Sequence, residues 1–338
     1  MLSSFPTPLM AQCRWLSHSA HPVVETLHAG WWSVCTADGT VVAESYPSAS
    51  KFQTFWRSTA KFVQALPVIE SGLHHNKTPE QLAVLCSSHV GSELHQTLAL
   101  AWLHSVGLTQ ECLLCGVHPP VDGATRRLLI QEGQEPTALH HNCSGKHSGM
   151  LAVCKHHGWP LESYREASHP LQQRIAALMM ERLDLKEPLP TGVDGCGVPT
   201  FYGTVGQLAQ LYAALTIDPL AEPLIQAVIS SSVAFGGLQR VDSAIVEVTN
   251  GRLIGKVGAD GVFAVMNREQ QLGFALKLAD GNEEARNRVV MAVLTQLGWL
   301  TASECQHPRL LPWVDPTIQN ASGTAVGEWQ HAKACLLT

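Results

Sequence analysis

Residues 57–61 read Arg-Ser-Thr-Ala-Lys and begin an apolar segment with helical periodicity that runs to Ser71. A serine three residues before a lysine at the start of a helix places both side chains on one helical face. Burial lowers the pKa of a lysine, and a neutral lysine can accept the proton of a serine hydroxyl. Ser58 and Lys61 are therefore candidates for a nucleophile and its base. The alternative is a serine that caps the helix beside a solvated lysine, which is a common arrangement.

Two other short segments place polar side chains where a site could form. Residues 86–92 read Cys-Ser-Ser-His-Val-Gly-Ser. Ser87, Ser88 and His89 follow an apolar run, as they would at the end of a strand, although the segment also reads as a polar turn that caps the next helix. Lys256 lies on a predicted strand between glycines, which let a ligand approach the backbone closely. The alternative for this residue is an ordinary lysine on a surface strand.

The order of the predicted elements indicates an α/β protein of the α+β type. A hairpin is predicted over residues 31–44 around the turn signal Asp38-Gly39. Later strands are predicted over residues 244–249, 253–258, 262–267 and 272–278. Helices are predicted over residues 58–71, 93–106, 148–157, 170–183, 205–215, 220–232 and 283–297, and the chain after Pro308 is expected to be irregular. Strands at both ends predict one antiparallel sheet, its first strands paired to its last, flanked by helices from a helical middle region.

Two loops that contain glycine carry the residues best suited to a metal. Residues 140–149 read His-His-Asn-Cys-Ser-Gly-Lys-His-Ser-Gly, and residues 194–199 read Asp-Gly-Cys-Gly-Val-Pro. Thiolates from Cys143 and Cys196 suit zinc, with a nitrogen ligand and a water or carboxylate to complete a tetrahedron. A neutral Lys146 is an unusual ligand, but zinc favours its deprotonation. The alternative is two buried cysteines beneath glycine-rich loops.

The bulk composition is that of a globular enzyme with a small-molecule substrate. The 338 residues are 45% hydrophobic and 15% charged, and the net charge of -6 gives no basic surface for nucleic acid or an anionic membrane. No apolar run is long enough to span a bilayer, and the first twenty residues do not resemble a signal peptide. We therefore expect one domain, residues 1–338 with a core over about 20–300, in the cytoplasm, where cysteines stay reduced.

The order of three motifs resembles that of serine β-lactamases and penicillin-binding proteins. The serine–lysine motif, the serine–histidine turn and the late Lys256-Val-Gly segment follow one another as their counterparts do in those proteins. Those folds also place their terminal strands in one sheet, with helices between them. The resemblance implies a serine β-lactamase-like fold.

When the segments Asn-Cys-Ser-Gly-Lys-His, residues 142–147, and Asp-Gly-Cys, residues 194–196, are added, the chain resembles the asparaginase II family of the rhizobial type. The resemblance covers about residues 20–300 and implies hydrolysis of L-asparagine to aspartate and ammonia by a homodimer. It also implies two serine–lysine pairs and a neighbouring zinc site, to which Asp194 is linked through a water. The implied catalytic pairs are Ser58 with Lys61 and Ser88 with Lys256, and the implied zinc ligands are Cys143, Lys146 and Cys196.

We expect the substrate to contact five further side chains, namely Arg57, Ser87, His89, His147 and Asp194. The expected mechanism is covalent: Ser58, deprotonated by Lys61, attacks the side-chain amide, and Ser88 with Lys256 passes the proton to the leaving ammonia. Zinc is expected to position the substrate and to stiffen the loops. Two alternatives remain open. One is a glutaminase or another serine amidohydrolase of the same fold, and the other is a zinc-binding protein without enzymatic activity.

Overall fold

A computed structural model describes residues 6–17 and 21–331. Its strands are β1 (Thr7–Arg14), β2 (Val23–Cys35), β3 (Val41–Glu44), β4 (Gln53–Phe55), β5 (Thr191–Val193), β6 (Pro199–Thr204), β7 (Leu253–Val257), β8 (Val262–Asn267), β9 (Leu272–Leu278), β10 (Thr317–Gln319) and β11 (Ala325–His331). Eight of them form an antiparallel sheet in the order β10-β11-β1-β2-β9-β8-β7, with β3 paired to β2. The other three form a small sheet in the order β4-β6-β5.

Most of the helices follow the first hairpin and precede β7. They are α1 (Lys61–Glu70), α2 (Pro79–Ala83), α3 (Glu93–His104), α4 (Gly123–Glu132), α5 (Ser144–His157), α6 (Pro170–Leu183), α7 (Val205–Leu215), α8 (Glu222–Ser230), α9 (Ser232–Phe235), α10 (Val241–Val248), α11 (Glu283–Gln296), α12 (Ala302–Cys305) and α13 (Leu311–Val314). Within the described ranges, no helix is long and apolar enough to cross a membrane.

The large sheet separates two hydrophobic cores because successive side chains of a strand point to opposite faces. Trp31 belongs to the core shared with the helical middle region, whereas its neighbour Trp32 belongs to the core beneath α11. On the first face α7 lies directly on β9, where a Cβ atom on Gly273 would come within 1.9 Å of the Ala209 carbonyl oxygen. All six residues of β8 are buried, so the sheet is covered on both faces at this point.

The predicted antiparallel sheet flanked by helices is confirmed. The hairpin forms between β2 and β3, and β2 pairs with the late strand β9 from Gly30 opposite Leu278 to Cys35 opposite Gly273. The helices predicted over 170–183 and 205–215 and the strands predicted over 262–267 and 272–278 have the predicted bounds.

Three local predictions are wrong. Residues 244–249 were expected to form a strand because they include β-branched side chains, but residues 244–248 lie in α10, whose first six residues are buried, and Thr249 is its C-cap. Tertiary packing overrides a local preference for extended structure here. The first metal loop is shorter than expected, since α5 begins at Ser144 and includes Lys146 and His147. The chain after Pro308 is not irregular: β10 and β11 extend the sheet next to β1.

Candidate active site

The packing of α5 against a short turn brings three chain segments together. Residues 84–86 form a 3-10 turn directly before Ser87 and Ser88. A Cβ atom on Gly145 would lie 2.6 Å from the Val84 carbonyl oxygen, and one on Gly149 would lie 2.6 Å from a methyl group of Leu85. These glycines of α5 therefore allow a close approach that fixes the serine segment beside the start of α1, where Lys61 is fully buried.

Ser88 lies between two buried lysines. Its Oγ accepts hydrogen bonds from Lys61 Nζ at 3.0 Å and from Lys256 Nζ at 2.9 Å. Lys61 also donates to the Ser87 and Asn142 carbonyl oxygens, the latter at 3.3 Å, and Lys256 donates to its neighbouring backbone carbonyl. We call Lys61, Ser88 and Lys256 the serine–lysine row.

Burial destabilises the charge of both lysines in the row. It lowers the pKa of Lys61, and the positive charge of Lys146 adds to this effect while Cys143 opposes it. Burial lowers the pKa of Lys256 to about 7, in spite of the carboxylate of Asp242 at 3.6 Å. An amine with such a pKa is largely neutral at pH 8 and can accept a proton from a hydroxyl.

Ser58 occupies a different position from Ser88. It lies on the 3-10 turn that precedes α1, is half-buried and lines an open cleft. Within the described ranges its side chain makes no hydrogen bond to Lys61. Ser88 is thus hydrogen-bonded to Lys256, its predicted partner. It is also hydrogen-bonded to Lys61, whereas Ser58, the predicted partner of Lys61, lies outside the row.

The cleft beside Ser58 has a volume of about 360 Å³. The other side chains and backbone groups that line it are Arg57, Cys115, Gly116, Val117, His118, His141, Asn142, Cys143, Asp194, Gly195, Cys196 and Ala259. A space of this size suits a small polar molecule, and both charges on its wall, Arg57 and Asp194, come from predicted substrate-binding residues.

Arg57 is held in a strained backbone conformation at the edge of the cleft. Its φ of 52° lies in the left-handed region, which is unfavourable for residues with a Cβ atom. Its Nε donates to Asp194 at 2.7 Å, Nη1 pairs with Asp260, and its backbone N–H donates to Thr200 Oγ1. Strain of this kind is often found at functional sites. Here it occurs at Arg57, which directly precedes Ser58.

Cys143, Lys146 and Cys196 form a buried group, which we call the cysteine cluster. The two thiols hydrogen-bond to each other, Lys146 Nζ lies 3.2 Å from Cys196 Sγ, and Asp194 Oδ2 lies 3.8 Å from the same sulfur. The hydrogen bond from Cys196, with Lys61 and Lys146 nearby, lowers the pKa of Cys143, and the same pairing raises the pKa of Cys196. The cluster therefore favours one thiolate.

The donor set of the cluster fits zinc by its chemistry, because two sulfurs, an amine and a carboxylate are ligand types that zinc accepts. No group of three or more His, Cys, Asp or Glu side chains suited to a metal occurs in residues 6–17 and 21–331. A zinc site at this position would depend on the lysine. Burial disfavours a charge on Lys146, but Cys196, Cys143 and Asp194 raise its pKa above the ordinary value, so that a metal would have to displace its proton.

Three predicted substrate-binding residues do not line the cleft. Ser87 is fully buried, and its Oγ is without a hydrogen-bond partner among the described residues. His89 contacts Ser144 Oγ at 3.0 Å, and His147 contacts Tyr164 Oη at 2.6 Å. Burial lowers the pKa of both histidines well below the ordinary value, so both are neutral.

Sequence reasoning missed residues that the fold brings to the site. Asn142 and His118 line the cleft, and the His118 ring accepts a hydrogen bond from the Asn142 backbone N–H at 3.0 Å. Asp242 lies beside Lys256. Asn142 adjoins Cys143 in the quoted motif, so the sequence could have indicated it, but Asp242 lies just before the segment predicted as a strand and belongs to no motif.

Comparisons with known proteins give the family. The family model described as L-asparaginase II matches residues 20–331. A search of curated proteins gave no match. One similar solved structure is a β-lactamase from Mycobacterium bovis, with 14% identity, a TM-score of 0.38 and coverage of 79% of this chain and 94% of that chain. Another is a provisionally assigned β-lactamase from Bacteroides dorei, with 13% identity, a TM-score of 0.35 and coverage of 78% of this chain and 92% of that chain. Because the family match spans nearly the whole sequence, the chain belongs to the L-asparaginase II family and is an amidohydrolase of the asparaginase type.

Proposed function

We propose that the protein hydrolyses L-asparagine to L-aspartate and ammonia through a seryl ester. The observation that carries this proposal is the position of Ser88 Oγ within hydrogen-bond distance of two buried lysines, one of which has a pKa of about 7. Such a row can store and return a proton near neutral pH, which amide hydrolysis requires because its leaving nitrogen must be protonated.

The cleft suits the backbone groups of an α-amino acid. Arg57 can pair with the α-carboxylate, and Asp194 can accept hydrogen bonds from the α-ammonium group. The two side chains pair with each other at 2.7 Å, so the substrate would bind to a site whose opposite charges are already placed. The amide side chain would then lie toward Ser58, which lines the same cleft.

In the proposed reaction, Ser58 Oγ attacks the side-chain amide carbon after its hydroxyl rotates toward Lys61, which takes the proton. The proton passes along the serine–lysine row through Ser88 to neutral Lys256, and returns through Ser88 to the leaving nitrogen. The carbon–nitrogen bond then breaks, ammonia leaves, and an aspartyl ester remains on Ser58. Water then adds to the ester carbon and gives a proton to the same row. As the bond between that carbon and Ser58 Oγ breaks, the row returns the proton to Ser58 Oγ, and aspartate leaves.

The cysteine cluster is the proposed zinc site, with Cys143, Lys146 and Cys196 as ligands and Asp194 close by. When bound, zinc supplies a positive charge that orients the substrate and joins the two loops. The reaction does not need a hydroxide from the metal, because the serine supplies the nucleophile. Metal analysis of protein purified without chelators tests this proposal independently of activity.

We also propose a homodimer in the cytoplasm, which chromatography with light scattering and cell fractionation would test.

The decisive experiment compares ammonia release from asparagine and from glutamine with hydrolysis of nitrocefin, at equal enzyme concentration. We expect asparagine to be the best substrate. A preference for glutamine would make the protein a glutaminase, turnover of nitrocefin alone would make it a β-lactamase, and bound zinc without any turnover would leave a metal-binding protein.

Serine variants then locate the nucleophile. We expect Ser58→Ala to abolish both turnover and the aspartyl adduct seen by mass spectrometry after acid quenching. Ser148→Ala is the matched control, because Ser148 is a buried serine of α5 that donates to the Ser144 carbonyl oxygen. Near-normal turnover of Ser58→Ala together with an inactive Ser88→Ala would exchange the roles of the two serines.

A further inference from the structure

A fully buried carboxylate lies behind the serine–lysine row. Asp242, the second residue of α10, has no exposed surface. Its Oδ2 lies 3.6 Å from Lys256 Nζ, and its Oδ1 lies 3.6 Å from Arg240 Nε. Neither ion pair is close enough to be a hydrogen bond, since charged pairs of this kind hydrogen-bond at about 2.7–2.9 Å.

The arrangement leaves polar atoms unsatisfied. Among the described residues, Asp242 Oδ2, Arg240 Nε and Ser243 Oγ are buried without a hydrogen-bond partner. Buried ion pairs without such bonds are commonly no more stable than apolar side chains of similar volume, because desolvation offsets the attraction. Asp242 Oδ1 accepts a hydrogen bond from the Ser243 backbone N–H at 3.3 Å, so Oδ2 is the carboxylate oxygen that faces Lys256 without a hydrogen bond.

We propose that Asp242 is a positioning residue for Lys256 and that Arg240 opposes its effect. Together the two charges set how readily Lys256 accepts the proton from Ser88. This inference rests on the proposed function. The carboxylate attracts the ammonium form of Lys256, and Arg240 weakens that attraction by its own charge. The amine is thereby kept basic enough to accept a proton although it is fully buried.

Charged groups from several parts of the chain act on Lys256. The carboxylate of Asp242 favours its ammonium form, and so does Cys143 when it is a thiolate, whereas Lys61 and Arg240 disfavour it. Cys86 is also close, but burial raises the pKa of its thiol above the ordinary value, so it is uncharged. The ring of Phe235 lies 5.8 Å away and carries no charge. Of these groups, only Asp242 is a carboxylate.

Two variants test the proposal in opposite directions. Asp242→Asn removes the negative charge at nearly constant volume, and we expect the rising limb of kcat/KM against pH to move to lower pH by about 1 to 3 units. The plateau of kcat should also fall, because a less basic amine accepts a proton less readily. Arg240→Gln should move the limb to higher pH, and its side chain is partly exposed, so the fold should tolerate the change.

Asp218→Asn is the matched control, because it breaks a carboxylate–arginine pair with Arg182, away from Ser88. It should leave the limb in place.

The second measurement is the titration of the Lys256 side chain by NMR of protein with ¹³Cε-labelled lysine, assigned with Lys256→Met. This titration does not need turnover, so it tests Asp242 even if asparagine is not the substrate.

A Lys256 titration that is the same in wild type and Asp242→Asn would overturn the proposal. So would shifts of the same sign in Asp242→Asn and Arg240→Gln, which would indicate a structural effect of either change. If the NMR shifts are opposite in sign but no amide is hydrolysed, the coupling stands and the proposed function fails.

Discussion

The serine–lysine row and the cysteine cluster both contain buried lysines, but Lys256 of the row and Lys146 of the cluster differ in charge. Lys256 has one carboxylate, Asp242, at 3.6 Å, and burial lowers its pKa to about 7. Burial also disfavours a charge on Lys146, yet its sulfur and carboxylate neighbours raise its pKa above the ordinary value, with Cys196 Sγ only 3.2 Å away. The number and the distance of anionic neighbours, rather than burial alone, thus decide the protonation state.

The difference separates two chemical tasks. A lysine that must accept a proton needs few anionic neighbours, as Lys256 has, because its neutral form must be accessible near neutral pH. A lysine surrounded by thiols holds its proton, as Lys146 does, unless a metal takes the place of that proton. The following predictions test this division, from the largest expected effect to the smallest.

Removal of the amine of Lys256 should have the largest effect. We expect Lys256→Met to lower kcat for asparagine by about 10³-fold, within the usual range for loss of a general base. Lys256→Arg should be about as inactive, because a guanidinium keeps the positive charge but does not accept a proton. Steady-state ammonia release measures both, and circular dichroism confirms the fold. Substantial activity in Lys256→Arg would show that Lys256 acts only through its charge.

Loss of a thiol from the cysteine cluster should affect binding more than chemistry. Cys196→Ala should lose bound zinc and raise KM for asparagine by about 10-fold or more, while kcat changes less, because the role proposed for the metal is to position the substrate. Cys154→Ala is the control, since Cys154 is a fully buried cysteine of α5 that does not line the cleft. It should keep its zinc and its KM. An unchanged KM in Cys196→Ala, or a wild-type protein without zinc, would contradict the proposed zinc site and leave the cluster with a purely structural role.

Sequence patterns predicted the architecture where periodicity was strong. β8 and β9 and helices α6 and α7 were found at their bounds because their apolar residues repeat clearly over the whole element. β1 and β11 were missed, since each of these strands alternates only in part between buried and exposed residues. Their pairing depends on contacts between the two ends of the chain, which a local pattern does not contain.

The site was predictable in its residue types but not in its connections. Motifs singled out Ser58, Ser88, Cys143 and Cys196 as candidates, because such residues stand out beside glycines and lysines. The link from Ser88 to Lys61 was not, since it depends on how the turn at residues 84–86 lies against α1 and α5. Asp242 was missed for a related reason: a single acidic residue between Val241 and Ser243 carries no signal until the fold places it by Lys256.

The pH dependence of activity should report the lysine of the row rather than that of the cluster. The pKa of Lys256 is lowered, so its reactive neutral form grows as pH rises through about 7. We expect kcat/KM to increase by about 10-fold between pH 6 and pH 8, the ratio of the neutral fractions of a group with this pKa. Initial rates at constant ionic strength measure the limb. A limb centred above pH 9 would assign the titration to another group and would contradict the role given to Lys256.

The smallest expected effect comes from Gly145, which belongs to neither group but lies between them. An alanine here would place its Cβ 2.6 Å from the Val84 carbonyl oxygen, so α5 and the turn at residues 84–86 would have to move apart. We expect a loss of about 1 to 3 kcal/mol in the free energy of unfolding, as for other overpacked sites, measured by urea denaturation. Gly123→Ala is the control, because its nearest neighbour is the end of the Arg127 side chain at 3.6 Å.

The two lysines should respond together to this change, because α5 carries Lys146 and the turn at residues 84–86 leads to Ser88. If both zinc content and kcat fall in Gly145→Ala, the two regions share one rigid support. If zinc content falls while kcat is kept, the serine–lysine row is held by α1 and β7 rather than by α5. The division between the regions would then be mechanical as well as electrostatic.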